Sequence, residues 1–371
     1  MKKVLMGSSA LLAAGFATSP AFADDGIKLS LGGFFQTAVE ENIDDHGHND
    51  LGNKRYNDGV FSDAEIYVLG KTTLDNGLTV GARVELEGEQ QDDQIDQAYV
   101  YFQGGFGEFS IGSSEGALET LCVTPVGGTA NFGAFSQDQV INNAFSGFSA
   151  GVCNGADAFR GQENSQKIVY ITPNFGGFQL ALSWSPNGNH ESDGVTDFHS
   201  GMPTVENGEQ RNVVDAYANY SHDFDTWSMN WGGGASVTTT SGGDAPSHNR
   251  AAFYQSALNL TFGNLSVGVA GEYYGNGVAA DQDGWVVGGG VAYKMDAWTF
   301  GFQYSHANFE LDGPDVNREI NTTALTTNYA LGPGINLDGT VQYTWADGDH
   351  DDEAHGGYKS VGLGLGTSFT F

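Results

Sequence analysis

The chain has 371 residues, only 16% of them charged, and 46 Asp and Glu against 14 Lys and Arg give a formal charge of −32. Nothing so acidic can neutralise a phosphate backbone, which excludes a nucleic-acid binder. The 55 glycines argue against a helical protein and the 12% aromatic content against acidic disorder, leaving a glycine- and aromatic-rich β protein with much polar surface.

The chain opens MKKVLMGSSALLAAGFATSPAFADDG. Lys2 and Lys3 form a charged start, an apolar stretch follows, and Ala21-Phe22-Ala23 offers a small-x-small cleavage site before Asp24. This pattern predicts a secretory signal peptide over 1–23 and a mature chain over 24–371. Losing Lys2 and Lys3 takes the formal charge from −32 to −34. No later stretch approaches the roughly 18 apolar residues of a membrane helix. An exported chain of this kind is either soluble beyond the inner membrane or a closed barrel in an outer membrane.

Alternation then runs along the chain. In LTVGARVELEGE, Leu78, Val80, Ala82, Val84 and Leu86 share one face, and Thr79, Gly81, Arg83, Glu85 and Glu87 share the other. The preceding run sets Ala64, Ile66, Val68 and Leu74 against Asp63, Glu65, Lys71 and Thr73, with the tight turn Asp75-Asn76-Gly77 between the two. FQLALSWS, NLSVGVAGEYY, AWTFGFQYS and GINLDGTVQYTWA repeat the period. Sixteen strands are predicted, near 27–40, 61–74, 78–89, 96–103, 108–113, 165–173, 178–186, 212–222, 226–239, 250–262, 265–275, 284–295, 297–309, 318–331, 335–346 and 358–371. Their connections alternate between short turns of Gly, Asn, Asp and Pro and long acidic loops, the layout of an outer-membrane barrel. Tyr273, Trp285, Trp298, Tyr343 and Trp345 near strand ends suit interfacial girdles. Inward glycines, among them Gly288, Gly290, Gly362, Gly364 and Gly366, would leave lumen space. A secreted, soluble β-sandwich acting as a binding module is the alternative, but it needs a single apolar core, whereas apolar faces recur on all sixteen strands.

The start IKLSLGGFFQTAVE, the motif GGFGEFSIGSSEGALE at 104–119 and the end VGLGLGTSFTF together resemble the Gram-negative general porins, particularly the alphaproteobacterial type. The resemblance covers the whole mature chain. It implies an all-β transmembrane antiparallel barrel of about sixteen strands, a homotrimer, and a third long loop folded inward to narrow a water-filled channel. The terminal Phe371, on one face with Val361, Leu363, Leu365 and Phe369, is similar to the assembly signal of such barrels. Two cysteines in the third loop depart from the usual pattern.

That loop, 114–164, carries Glu115, Glu119, Asp138, Asp157 and Glu163 against a single Arg160. Folded inward, it would present carboxylates at the narrowest point. Lys71 and Arg83, almost opposite one another across their hairpin, would supply the facing cations, and charged rings set pore selectivity. Cys122 and Cys153 are the only cysteines, and an exported chain meets an oxidising compartment, so a disulfide is expected. Asp63, Glu65, Glu85, Glu87, Glu108, Asp215, Glu272 and Asp338 are expected to line the lumen as acids, tempered by Lys28, Lys71, Arg83, Lys294 and Arg318. This surplus predicts cation preference. Asp347, Asp349, Asp351 and Asp352 form an acidic stretch that can bind Ca²⁺ or Mg²⁺ or bridge through them to lipopolysaccharide, though no EF-hand spacing is present and a solvated loop is the plainer reading.

The expected function is passive diffusion of small hydrophilic solutes and ions through an outer-membrane channel, in contact with lipid and lipopolysaccharide, with no cofactor. No HExxH or P-loop motif points to an enzyme. A substrate-specific barrel, for sugars for example, is the second reading; its candidate inward aromatics, Tyr67, Tyr99, Tyr101 and Tyr217, are scattered in sequence.

Overall fold

The computed structural model describes residues 26–44, 58–88, 95–135, 153, 164–187, 210–240, 250–279, 282–310, 317–347 and 358–371. Sixteen strands follow in chain order: β1 (Lys28–Asp44), β2 (Asp58–Thr73), β3 (Thr79–Glu87), β4 (Ile95–Gly104), β5 (Gly107–Ser113), β6 (Gln166–Ile171), β7 (Phe178–Asn187), β8 (Gln210–Asp223), β9 (Ser228–Thr240), β10 (Arg250–Phe262), β11 (Leu265–Ala279), β12 (Gln282–Met295), β13 (Trp298–Glu310), β14 (Asn317–Gly332), β15 (Ile335–Asp347) and β16 (Tyr358–Thr370). One helical turn, α1 (Ala117–Thr120), interrupts them after β5. Each strand pairs antiparallel with its neighbours, and β1 pairs with β16, so the sheet closes into a barrel. The seam is completed by the last residue: Gly33 N donates to Phe371 O at 3.0 Å and Phe371 N to Gly33 O at 3.1 Å.

Period two places the side chains. Leu29, Leu31, Val60, Val269, Leu325 and Leu365 are each more than half exposed on the outer face, which is tolerable only against lipid. Several strands run beyond the alternating stretch that marks them in sequence. β1 ends at Asp44, β2 begins at Asp58 and β11 continues to Ala279, all on the long-loop side. A strand rises about 3.3 Å per residue, and a span of about 9–11 residues crosses the hydrocarbon. The 15- to 17-residue strands therefore stand clear of the lipid, where pairing continues but the outer face need not be apolar.

The largest buried apolar cluster among the described residues lies inside the barrel. Leu118, Cys122, Val123, Ala134 and Phe135 of the long third loop pack against inward side chains of β8 to β14, including Tyr217, Phe253, Tyr274, Val286 and Phe309. The Phe253 and Tyr274 rings meet tilted, with centroids 5.0 Å apart, and Tyr274 meets Phe309 at 5.8 Å. Period two marks the inner face as polar, but this stretch of it is apolar because the loop covers it.

Candidate functional site: the lumen and its inward loop

The third loop leaves β5 and turns into the barrel. β5 and β6, the shortest strands at 7 and 6 residues, pair with one another and carry the two ends of the loop. A polar neck holds the two ends of the loop together. Ser113 Oγ donates to Asn164 O, Asn164 Nδ2 to Asp96, and Lys167 Nζ to Ser114 O. On the far side of the neck, Ser183 Oγ receives the Ala117 N–H at 3.0 Å and itself donates to Asp215.

From α1 the chain crosses the inner wall, and five of the strands it passes offer it a hydrogen-bonding side chain. Val123 N donates to Tyr217 Oη at 3.2 Å, and Asn259 Nδ2 to Thr124 O at 2.8 Å. Gln303 Nε2 reaches Pro125 O at 3.0 Å, while its Oε1 accepts from Ala134 N at 2.8 Å. Thr326 Oγ1 donates to Gly127 O at 2.6 Å. Asn131 Nδ2 donates to Asp338 at 2.7 Å, and Phe132 packs beside Ala38 of β1. The disulfide Cys122–Cys153, with Cα atoms 5.7 Å apart, ties this outgoing segment to the returning one. Glu272 then holds the return, accepting from Cys153 N at 3.3 Å and from Tyr274 Oη at 2.8 Å.

The inward glycines have a sharper role here than lumen space. A Cβ on Gly290 would lie 1.9 Å from Val126 O, and one on Gly364 would lie 2.5 Å from the Phe132 ring. Gly127 meets the wall with φ +105 and its own missing Cβ 2.7 Å from Phe302 O. Side chains are absent where loop backbone lies on strand backbone.

The charged residues divide into two groups. Asp215, Glu272 and Asp338, expected in sequence as lumen acids, are buried and secure the loop instead. The second group occupies the wall of β2 to β5. Arg83 forms an ion pair with Glu85, both nearly buried, and its guanidinium lies 4.3 Å over the Tyr67 ring. Tyr99 is the register partner of Arg83, and Tyr101 follows with ring centroids 6.4 Å apart. Three tyrosines that are scattered in sequence thus surround one arginine; Tyr217 stands apart under the loop. Glu65, Glu87 and Asp96 bring carboxylate oxygens within 4.8 Å of one another, the one group among the described residues spaced to hold a metal ion. Asp63 accepts from Gln36 Nε2 at 2.9 Å and Glu108 from Gln103 Nε2 at 3.2 Å.

Glu115, the first acid of the loop, lies within electrostatic reach of Arg83, Lys167 and Asp96 and bonds to Gln97. Burial pushes its carboxyl above the usual range, although the two cations pull the other way. Glu119 is partly buried in α1. Lys71 and Arg83 are not directly opposite: Lys71 pairs with Gly81 and Arg83 with Leu69, because the register sets them diagonally. Lys71 instead adjoins Lys28 at the short-turn end. Lys294 is exposed near the same end of β12. Asp138, Asp157, Arg160, Glu163, Asp349, Asp351 and Asp352, with the side chains of Arg318 and Asp347 and the segment 1–23, lie outside the described residues. Lys167 and the loop-binding amides Asn259 and Gln303 are functional positions that sequence reasoning missed. Their one sequence signal is a polar residue on the inward parity of a strand, and every strand carries such residues.

A closed, lipid-faced barrel with a polar interior and a loop across it defines a membrane channel. A family model of the Gram-negative porins matches residues 8–349, and the chain belongs to that family, in the outer membrane. A "Monosaccharide porin" of Halomonas sp and the "Major outer membrane protein" of Halomonas elongata are each 26% identical over 209 residues, covering 53% of this chain and 52% of the relative. The match thus spans about half the length of these relatives. Among solved structures, a loop-deleted OmpT of Vibrio cholerae aligns with a TM-score of 0.59 at 13% identity, covering 94% of this chain and 100% of that one. The anion-selective porin of Comamonas acidovorans aligns at 0.56 and 15%, covering 93% and 100%. A trimer form of in-vitro folded Vibrio cholerae OmpT aligns at 0.57 and 13%, covering 94% and 100%.

Proposed function

We propose that the protein is a passive, cation-preferring diffusion channel for small hydrophilic solutes and ions, working as a homotrimer. The observation that carries this reading is the wall of β2 to β5. There Asp63, Glu65, Glu85, Glu87, Asp96 and Glu108 share the inward face with Lys71 and Arg83, and Arg83 is already paired with Glu85. Fields from such a wall act strongly in a confined lumen. The fold leaves the sign of selectivity open, since an anion-selective porin shares it; the sign is argued from this chain's own charges. The trimer form of the Vibrio cholerae neighbour supports the assembly state. Constriction is assigned to Glu115, Glu119, Lys71 and Arg83, together with the loop charges Asp138, Asp157, Arg160 and Glu163. The test is the reversal potential of the reconstituted protein in a salt gradient. Cation preference is expected, and a potential favouring anions overturns the reading.

The tyrosines around Arg83 favour a second reading, a channel with preference for sugars. A sugar ring offers C–H faces to aromatic rings and hydroxyls to Arg83, and one relative is named for monosaccharides. Sugar uptake into proteoliposomes that saturates with concentration would favour this reading over free diffusion.

A further inference from the structure

The barrel holds a cavity of about 510 Å³ tucked beneath α1 on the short-turn side, between the loop and the wall of β4 to β8. Its size falls in the range of small-molecule sites. Gln103, Glu108, Gln179 and Asn219 reach it from the strands, Asn174 from the turn between β6 and β7, and Thr120 from the loop above.

The lining is rich in acceptors and carries one carboxylate. Gln103 Nε2 donates to Glu108 at 3.2 Å, Gln179 Nε2 to Thr172 O at 3.4 Å, and Asn219 Nδ2 to Leu121 O and Asn230 Oδ1 at 3.5 and 3.2 Å. Thr120 Oγ1 donates to Gly116 O at 2.8 Å. Each of the three amides turns an N–H toward protein and keeps its carbonyl oxygen to offer, beside the carboxylate of Glu108, while Gln103 and Gln179 each retain a second N–H. Asn174 and Thr172 reverse the pattern, Asn174 accepting from Gly177 N at 2.7 Å and keeping its NH₂, and Thr172 Oγ1 accepting from Leu180 N at 2.9 Å and keeping its O–H. Among the described residues no Lys, Arg or His lines the cavity. The acceptors are distributed around a volume far larger than the shell of oxygens about 2.3–2.6 Å from a calcium ion. The complementary solute is an organic cation carrying several further donors.

We propose that this cavity is a binding station for small protonated amino sugars, with Glu108 taking the ammonium and the amide carbonyls of Gln103, Gln179 and Asn219 taking hydroxyl protons. It gives the channel a solute class and rests on the channel reading only in that the lumen is the route to it. It lies on the short-turn face of the loop, so a solute from that side meets it before crossing the narrow zone.

The test uses the purified, detergent-folded protein with glucosamine hydrochloride at pH 6, where the amine is protonated, and with N-acetylglucosamine as the uncharged match. Calorimetry reads binding, and planar-bilayer recording reads conduction and block, each variant normalised to its own open current. Glucosamine is expected to bind at least tenfold more tightly than N-acetylglucosamine. Glu108→Gln is expected to remove most of that difference, and Gln179→Leu to weaken both sugars alike. Block should begin several-fold faster when glucosamine is added on the short-turn side. Equal affinity for the two sugars in the wild type, or wild-type glucosamine affinity in Glu108→Gln, overturns the site. Binding sensitive to Glu108→Gln in a protein that conducts no ions keeps the site and sinks the channel reading; conduction without such binding does the reverse.

Discussion

Gly290→Ala isolates the seat of the loop from the barrel that carries it. The new Cβ would stand 1.9 Å from Val126 O, whereas ordinary contact begins near 3.4 Å, so the loop backbone must rise by about 1.5 Å. Val126 is held on both sides, its N–H donating to Asn259 Oδ1 at 3.1 Å and its carbonyl accepting from Gln303 at 3.2 Å, with Thr326 gripping Gly127 O next door. A rise of this size breaks two or three hydrogen bonds worth about 1 kcal/mol each and adds about 1–3 kcal/mol of overpacking. Most of the loss, roughly 3–6 kcal/mol, falls on the loop, because the hydrogen bonds broken lie outside the backbone ladder of β12 to β11 and β13, which the new Cβ meets only at Phe302 O, 3.0 Å away. The variant should therefore keep the heat-modifiable gel migration of a folded barrel. Its loop should become cleavable by protease, and its single-channel conductance should change and grow noisy. Gly271→Ala on the outer face, where a Cβ meets Val287 at an ordinary 3.5 Å, should match wild type in all three assays. A Gly290→Ala protein with wild-type conductance and protease resistance would refute the view that the loop is seated on glycine.

Arg83→Ala removes the partner of Glu85 and the cation over Tyr67, and should raise both conductance and cation preference; unchanged values would remove Arg83 from the constriction. Because burial raises the Glu115 carboxyl above its ordinary 4.5, that group stays neutral further up the pH scale and ionises only above the usual carboxylate range. Cation preference should rise across that interval, and Glu115→Gln should flatten the rise. The unfolded chain gives up the same proton first, so this group's contribution to stability falls as pH increases there; a wild-type selectivity profile in Glu115→Gln would contradict the assignment. Thiol titration of the native protein should find no free sulfhydryl before reduction and two after it. Closing the loop at 31 positions removes on the order of 3–4 kcal/mol of unfolded-chain entropy, so a reduced protein with unaltered protease resistance would deny the bridge a role in holding the loop. Deleting Phe371 costs the two hydrogen bonds to Gly33 at the closing seam and should slow assembly; an unchanged yield of heat-modifiable barrel would show that the last residue is dispensable.

The sequence by itself determined the barrel. Strand number, the side of the short turns and the lipid face all follow from period-two alternation and from turn residues, which are local properties read within a dozen positions. The same pattern misread Gly290, Asp338 and Glu272, which look like lumen space and lumen charge but hold the loop. It also offered no way to gather Tyr67, Tyr99 and Tyr101 around Arg83, because they meet through the register of three strands. Only the tertiary structure decided the course of the loop and therefore the shape of the channel. Its anchors pair residues far apart in the chain: Gln303 with Pro125 at a separation of 178, and Asn131 with Asp338 at 207. An inward-facing polar or glycine residue is equally satisfied by water or by loop backbone, and nothing in its neighbours along the chain distinguishes the two.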